Sequence, residues 1–504
     1  MEEQSPNDSY SHVLKYTGIF GGVQGLKILV DVSRNKLAAL LLGRVGMGLN
    51  GIFVNISEIL NSWTNFGIPF YTVRRVAELY EVGTDEELKR FVSVIRTWSI
   101  WSSLLGALLC LGLASWLSNH YLPEGGHIPE IMLLSLFVAS MPIEAVECSL
   151  LKGLRRLRTV ALIDVLSAFS AFVFSIPLYY LMGLRGIVLS LVLCGWSVAI
   201  IHLYFSVRII PYKVKLFSHQ VLAEGLPIIR IGLPYVLAAA ALAVTTGEVY
   251  SYINDASQIG LYRSGFALMV AYSGIIFKAV EADYFPRLSG VNHDTLRLNH
   301  TINQQIDVCV LLMAPMLILF ILVIPLAIRI LYSSEFLPVI PMVVAAIFHL
   351  LIKAITTPIS YTPLAKADTW LYLIMECSYY LVFLLMIRYG IDQYGLIGAG
   401  WAMSFASVFE LIILLGVYCP IYGYKMRRST ILLIVPQALL LIATVALCLL
   451  ASNVIKYSVG SVSLLLSLLF SWRRLSPQLA VVQRINGYVL ATTRTLKRIF
   501  GFRS

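Results

Sequence analysis

The chain has 504 residues, of which 58% are hydrophobic and only 13% are charged, and its formal net charge is +11. This composition excludes an ordinary soluble protein, because too few charged residues are available to cover a water-exposed surface. A positive charge can indicate nucleic-acid binding, but here the basic residues lie mostly between apolar segments, so we expect no nucleic-acid partner.

Apolar segments of about 20 residues, long enough to span a hydrocarbon core of about 30 Å, recur along the whole chain. We predict fourteen transmembrane helices, near residues 14–40, 46–71, 92–118, 130–151, 159–181, 187–207, 233–253, 259–284, 306–330, 338–360, 370–388, 396–418, 430–451 and 457–472. The fold class is therefore an all-α polytopic membrane protein. Residues Met1–Ser11 lack the basic segment and cleavage site of a signal peptide.

Four landmarks of the first half return in the second half in the same order. Gly48-Leu49 returns as Gly260-Leu261, an offset of 212 residues. At the same offset Ile128-Pro129 returns as Ile340-Pro341 and Gly183-Leu184 returns as Gly395-Leu396, and Lys152 corresponds to Lys366 within two positions. A duplicated helix bundle predicts two pseudo-symmetric halves with a substrate path between them.

The repeat divides the chain into two six-helix lobes and an additional helix pair. We predict a cytoplasmic N-terminus at 1–12, an N-terminal lobe at 13–208, a cytoplasmic linker at 209–232, a C-terminal lobe at 233–422, an extra helix pair at 430–472 and a basic cytoplasmic tail at 473–504. The tail alternates Arg and Lys with apolar residues, which is typical of a segment that lies on an anionic membrane surface.

Basic residues give the orientation. If both termini are cytoplasmic, most of the basic residues in connections fall on the inner side, and the outer side holds only Arg44, Arg185, Arg329, Arg388 and Lys456. This bias agrees with the positive-inside rule, whereas the inverted topology would reverse it. We therefore predict a multi-pass protein of the inner membrane with both termini in the cytoplasm.

Six basic residues within or next to the predicted spans are candidates for a cationic substrate-binding cavity. They are Lys27, Arg34, Lys36, Arg263, Lys278 and Lys353. Each would cost roughly 3 kcal/mol if it faced lipid, so some of them must face protein or water. Lys27 and Asp31 are four residues apart and can pair, which would leave Arg34 as surplus positive charge.

Four acidic residues are candidates for ion coupling or for pairing with these cations. They are Asp31, Glu58, Glu248 and Glu281. The alternative for every charged residue named is a buried ion pair that locks helices together, and for Arg96 a structural role is the expected one. The sequence contains no phosphate-binding loop and no zinc-protease or hydrolase motif, and its cysteines lack metal-ligand spacing. We therefore expect no enzyme activity, no metal and no cofactor.

Several of these segments also resemble a known family. The run Lys27–Lys36, followed by Leu42–Gly51, resembles the opening of the Wzx flippases, especially those that move the enterobacterial common antigen precursor. Tyr284–Ser289 and Leu364–Ala367 resemble the segments of that family after its eighth helix and before its eleventh helix. The similarity extends over about residues 13–420.

The resemblance implies membership of the multidrug/oligosaccharidyl-lipid/polysaccharide superfamily, with two six-helix lobes in a V like that of the multidrug transporters. It also implies a substrate, an undecaprenyl-diphosphate-linked oligosaccharide such as an O-antigen, enterobacterial-common-antigen-like or capsular repeat unit. The protein would carry this substrate from the cytoplasmic to the periplasmic leaflet of a bacterial inner membrane by alternating access. Membrane lipids and a glycan polymerase complex are the expected partners.

Three other functions remain open. A multidrug or cation antiporter of the same fold should present mainly carboxylates to its substrate. A polymerase or ligase would work at the outer face, where the predicted connections are short. The third alternative is a membrane component of glycan polymerisation that transports nothing.

Overall fold

The computed structural model describes residues 6–123, 125–216, 218–366, 368–450 and 453–476, and these residues form helices and short connections without a β-strand. The α-helices are α1 (Pro6–Thr64), α2 (Ile68–Val82), α3 (Asp85–Gly112), α4 (Ala114–Tyr121), α5 (Ile128–Gly153), α6 (Leu157–Met182), α7 (Gly186–Val207), α8 (His219–Ile253), α9 (Ala256–Gly290), α10 (Thr295–Leu331), α11 (Ile340–Ala345), α12 (Ile347–Ala365), α13 (Thr369–Tyr394), α14 (Leu396–Tyr422), α15 (Arg428–Leu450) and α16 (Asn453–Leu475). Two 3₁₀ turns, Gly183–Arg185 and Ser334–Val339, interrupt this order. The prediction of an all-α membrane protein is confirmed.

Ten helical segments of the described chain are long and apolar enough to cross a membrane, and an eleventh forms if the pair Ser334–Ala345 and Ile347–Ala365, bent by 47°, is one span. Two of the ten, Gly25–Thr64 and Leu157–Val207, are each long enough for two of the predicted spans. Helix α9 contains the predicted span at 259–284 but is not one of the ten. The exact number of fourteen spans stays a prediction.

Gly43 separates the first two predicted spans within α1. Its backbone has φ 60° and ψ −165°, a non-helical conformation that interrupts the helix. A residue with a side chain is strained at such a positive φ, whereas glycine adopts it readily. The sequence therefore places glycine where the chain changes from one span to the next.

The landmarks of the sequence repeat have the same backbone roles in both halves. Ile128 and Ile340 are each the first residue of a helix, α5 and α11. Gly183 (φ 57°, ψ −130°) and Gly395 (φ 60°, ψ −144°) adopt nearly the same conformation, and both precede the last predicted span of their lobe. The pseudo-symmetry read from the sequence is thus also present in the fold.

The first pair of landmarks makes a reciprocal contact. A Cβ atom on Gly48 would lie 1.9 Å from the carbonyl oxygen of Ala256, and one on Gly260 would lie 2.0 Å from that of Arg44. Arg44 and Ala256 are themselves separated by the repeat offset, so the two halves of this contact mirror each other. A contact that exchanges equivalent residues is the sign of a two-fold axis, and the backbones approach so closely that only glycine fits.

The chain divides into two compact units. The first comprises the described residues up to Gly265 together with Leu326–Val339 and Thr369–Ile391. The second comprises Phe266–Pro325, Ile340–Asp368 and the described residues from Asp392 onward. The boundaries of the two predicted lobes stay a prediction, and residues 477–504 of the predicted basic tail lie outside the described residues.

At the predicted cytoplasmic end of the first unit, apolar side chains of four helices form the core. One cluster joins α2 and α3 to the end of α5 and to Ile210, and a second joins α2, α3 and α5 to Val221 and Ile228 of α8. Burying these side chains fixes the first turns of α8 against α2 and α3. The large apolar residues that remain exposed on most other helices suit a lipid environment.

Candidate functional site

Arg263 lies near the start of α9, about one turn after Gly260 and its contact with the first repeat. A Cβ atom on Gly51 would lie 2.6 Å from Cδ of Arg263 and 3.2 Å from its Nη1, so the arginine side chain passes over the bare backbone of α1 at this point. Its Nη1 donates a long hydrogen bond, 3.4 Å, to the carbonyl oxygen of Met47. Among the described residues Arg263 forms no ion pair with a carboxylate.

Arg34 projects from the first part of α1 and is half-buried. It forms neither an ion pair nor a hydrogen bond within the part of the chain that the structure describes. Both Arg34 and Arg263 interact electrostatically with the phenol of Tyr179 on α6, whose hydroxyl lies 3.0 Å from that of Ser190. Arg34 and Arg263 thus both act electrostatically on the same tyrosine, neither forms an ion pair among the described residues, and both were predicted as site residues.

Glu58 is the carboxylate that interacts electrostatically with Arg263, and its side chain is exposed on α1. Asp31, on the first part of α1, forms no ion pair among the described residues. Neither carboxylate forms an ion pair with Arg34 or Arg263 among the described residues, so both guanidinium groups keep N–H donors that no carboxylate occupies. The surface can therefore attract an anion and can bind one bidentately through guanidinium groups.

Lys27 pairs with a residue that the sequence did not suggest. Its Nζ lies 3.7 Å from Oδ2 of Asp164 on α6, and the two side chains are 33% and 37% exposed. The pairing of Lys27 with Asp31 along the helix is not formed, because α6 offers a carboxylate on the neighbouring face. An ion pair that remains partly exposed is weak.

Lys36 binds the end of α10. Its Nζ donates to the carbonyl oxygen of Arg329 at 2.6 Å and also to that of Tyr332, while Nδ2 of neighbouring Asn35 donates to the carbonyl of Leu331 at 3.3 Å. These carbonyls are the unsatisfied acceptors at a helix C-terminus, where a cation is also favoured by the helix dipole.

Lys353 and Glu410 form an ion pair inside the second unit. Nζ of Lys353 on α12 lies 2.9 Å from Oε1 of Glu410 on α14, and the carboxylate side chain is only 8% exposed. One turn before Lys353, Nδ1 of His349 lies 2.5 Å from the hydroxyl of Ser407 on α14. These paired contacts connect α12 to α14.

The remaining predicted site residues fall into two groups. Glu248 on α8 accepts from His120 at 3.0 Å and from the phenol of Tyr121 at 3.4 Å, at the end of the first unit opposite the predicted cytoplasmic side. The side chains of Lys278 and Glu281 lie outside those that the structure describes. For all ten predicted residues the assigned role stays a prediction.

The structure adds Gly51, Tyr179 and Asp164 to the residues named from the sequence. Gly51 carries a signal that could have been used, because it precedes Arg263 by the repeat offset. Tyr179 and Asp164 carry none, since an ordinary tyrosine and an isolated aspartate in an apolar helix do not indicate their partners. No group of three His, Cys, Asp or Glu side chains suited to a metal ion occurs among the described residues.

A comparison with protein families gives a match over residues 37–341, more than half of the chain, to the family described as polysaccharide biosynthesis protein. The chain belongs to the polysaccharide biosynthesis protein family. The matched region of this family member begins directly after the candidate residues Lys27, Arg34 and Lys36 and includes Arg263. No curated protein sequence matches the chain significantly.

Solved structures of transporters share the fold. The lipid II flippase MurJ in an inward closed conformation is 15% identical, with a TM-score of 0.67, and the match covers 91% of this chain and 99% of that one. An inward-facing multidrug resistance MATE family transporter of the MOP superfamily is 14% identical, with a TM-score of 0.63 and coverage of 79% and 94%. A MOP superfamily transporter from Pyrococcus furiosus is 16% identical, with a TM-score of 0.51 and coverage of 81% and 94%. At these identities the likeness establishes the fold.

Proposed function

We propose that this family member is a flippase that moves an undecaprenyl-diphosphate-linked oligosaccharide from the cytoplasmic to the periplasmic leaflet of a bacterial inner membrane. The observation that carries the proposal is the pair Arg34 and Arg263, two guanidinium groups that have no carboxylate partner among the described residues and that both interact electrostatically with Tyr179. In this proposal the pair binds the diphosphate during transfer.

The charge of the substrate explains why such a pair is useful. An arginine within a membrane span costs about 3 kcal/mol on an insertion scale, so two unpaired arginines need water or an anion beside them. A diphosphate supplies several acceptor oxygens, and a guanidinium group binds two of them in parallel. The lipid tail of the substrate can remain in the bilayer while the sugar and the diphosphate pass along the cationic surface.

The membrane potential supplies a direction. Moving one negative charge outward across an inside-negative membrane is favoured by about 2.3 kcal/mol per 100 mV. For about two charges on the diphosphate the gain is some 4–5 kcal/mol per 100 mV, so outward transfer needs no coupled ion. Alternation between inward-open and outward-open forms of the two repeats would complete the cycle, with no covalent chemistry by the protein.

The alternative with support from the fold is a multidrug or cation antiporter, since a MATE family transporter shares this architecture. Such a transporter would bind a cation and would need unpaired carboxylates. The carboxylates of Asp164 and Glu410 are paired with lysines. Asp31 and Glu58 form no ion pair among the described residues, but Glu58 interacts electrostatically with Arg263, which opposes a cationic substrate there. Arg34 and Arg263 likewise form no ion pair among the described residues, and their guanidinium donors suit an anion. We therefore favour an anionic lipid-linked substrate, of the type moved by Wzx flippases, delivered to a polymerase complex at the outer face.

The test is a flipping assay in proteoliposomes with a fluorescent diphosphate-linked oligosaccharide. Arg34→Ala and Arg263→Ala should each lower the rate at subsaturating substrate by about ten- to hundredfold, the loss expected for charge-assisted hydrogen bonds. Arg185→Ala is the matched control, because it removes an exposed arginine of the 3₁₀ turn Gly183–Arg185, and it should keep the parental rate. Parental flipping rates in both Arg34→Ala and Arg263→Ala would refute the proposal. Drug extrusion without lipid flipping would favour the antiporter.

A further inference from the structure

A second candidate site lies within the first unit, at its predicted cytoplasmic end. A cavity of about 340 Å³ opens between α2, α3 and the first turns of α8. Its polar and aromatic walls are formed by Tyr71, Arg75, Glu87, Arg90, Phe91 and Glu224. The volume falls within the range of about 300–1,000 Å³ that is usual for small-molecule sites.

The charged side chains of this cavity neutralise each other. Nε of Arg90 donates to Oε2 of Glu224 at 3.2 Å, and its Nη2 binds the other oxygen of the same carboxylate. Nη1 of Arg75 lies 2.9 Å from Oε2 of Glu78. The cavity therefore presents planar donors and acceptors, and each of its arginines already has a carboxylate partner, unlike Arg34 and Arg263.

Glu87 is fixed by the start of α3. Its side chain accepts from the backbone N–H of Thr84 at 3.0 Å, and its own N–H donates to the Thr84 hydroxyl at 3.3 Å, which together form a capping box. A capping box holds the carboxylate in a defined place, and a carboxylate oxygen keeps further lone pairs for a hydroxyl donor. The polar wall is thus preorganised before any ligand arrives.

Two aromatic rings form the other wall. The rings of Tyr71 and Phe91 are 6.2 Å apart between centroids and are inclined by 60°. Both pack against the apolar core of α2, α3, α5 and α8, which holds them in position. The hydroxyl of Tyr71 forms no hydrogen bond among the described residues, so it is available to a ligand.

We propose that this cavity binds a neutral sugar ring of the oligosaccharide before transfer, as a carbohydrate subsite separate from the arginine pair that takes the diphosphate. A pyranose ring combines an apolar C–H face, which packs on an aromatic ring, with hydroxyl groups that both donate and accept. Tyr71 and Phe91 provide the rings, while Arg90, Glu224 and Glu87 provide planar donors and acceptors. An anionic ligand is disfavoured, because each arginine already has a carboxylate.

The proposal rests on the proposed function, since it assigns the sugar part of the same substrate. In the predicted orientation the cavity is at the cytoplasmic end of the first unit, where the oligosaccharide of a lipid-linked precursor projects before it is moved. The cationic pair selects the diphosphate, which every such precursor carries, whereas a sugar subsite can distinguish one repeat unit from another.

The test measures binding to the purified full-length protein in detergent by saturation-transfer NMR. The probes are N,N′-diacetylchitobiose, maltose and inorganic phosphate. We expect saturable binding of at least one disaccharide and no competition by phosphate. Tyr71→Leu and Glu224→Gln should each weaken that binding by about tenfold, which corresponds to the loss of one stacking or hydrogen-bonding contact.

Arg155→Gln is the matched control, because it removes another cytoplasmic Arg–Glu pair, with Glu81, that does not line the cavity. It should leave disaccharide binding unchanged. Absence of saturable binding for both disaccharides, parental affinity in both Tyr71→Leu and Glu224→Gln, or displacement by phosphate would each overturn the proposal. Because the readout needs no flipping, its failure is distinct from parental flipping in the Arg34 and Arg263 variants, which would refute the proposed function instead.

Discussion

Arg263 lies directly on Gly51, and Gly51 is the residue of the first repeat that is equivalent to Arg263. A Cβ atom on Gly51 would be 2.6 Å from Cδ of the arginine, so the repeat carries a long cation in one half and no side chain in the other. The pair follows the reciprocal contact of Gly48 with Gly260 by three residues. The pseudo-symmetry is thus broken close to the axis, where the glycine leaves the space that the arginine fills.

Gly51→Ala should displace the Arg263 side chain and lower flipping about tenfold or more, because the guanidinium group would lose its position relative to Arg34. The added methyl group also meets Nη1 and Nε within 3.3 Å, so it affects the charged end of the side chain. The measurement is the proteoliposome flipping rate. Gly25→Ala in the same helix is the control, since a Cβ there meets nothing within 4 Å. Equal rates for the two variants would show that the position of Arg263 does not matter.

The pair Lys353 and Glu410 gives a prediction that separates substrate binding from helix locking. Lys353→Met should lower the stability of the protein by about 3–5 kcal/mol, because it leaves a carboxylate that is 8% exposed without its cation. The double variant Lys353→Met/Glu410→Gln should recover both thermal stability in detergent and flipping. If stability returns but flipping does not, Lys353 contacts the substrate as the sequence suggested.

The sequence predicted the helices and the repeat well, since both leave a signal along the chain. Apolar runs of the right length gave the spans, and the 212-residue offset gave the pairs Gly48 with Gly260 and Gly183 with Gly395, which are structurally equivalent. The offset also related Gly51 to Arg263. The number of spans could not be fixed in the same way, because α1 and the segment 157–207 are each nearly continuous over two predicted spans.

The partners of the charged residues were harder to predict. A sequence reveals partners one turn away in the same helix, such as Lys27 with Asp31, whereas the structure pairs Lys27 with Asp164 on α6. It likewise directs Lys36 to the carbonyl groups at the end of α10. Partner choice between helices depends on how each helix is rotated and how deeply it sits, which composition does not specify.

Arg96 is the clearest case of a charge that stabilises the bundle, as expected from its sequence. Its Nε and Nη2 donate to the two carboxylate oxygens of Glu147 at 2.7 Å and 2.9 Å, and the side chains are 0% and 2% exposed. Nη1 donates to the carbonyls of Ile210 and Pro211, which lie in the connection between α7 and α8. The guanidinium carbon also lies 4.9 Å from the centre of the Tyr212 ring.

Arg96→Met should therefore destabilise the protein by about 3–5 kcal/mol, because a fully buried carboxylate would lose its cation and two backbone carbonyls would lose a donor. Arg96→Lys should rescue little, since an ammonium group cannot reproduce the bidentate contact. Thermal unfolding in detergent measures both effects. Arg155→Gln breaks a pair with Glu81 whose side chains are 67% and 51% exposed, so it should change stability by less than about 1 kcal/mol. Similar melting temperatures for Arg96→Met and Arg155→Gln would contradict a stabilising role for the buried pair.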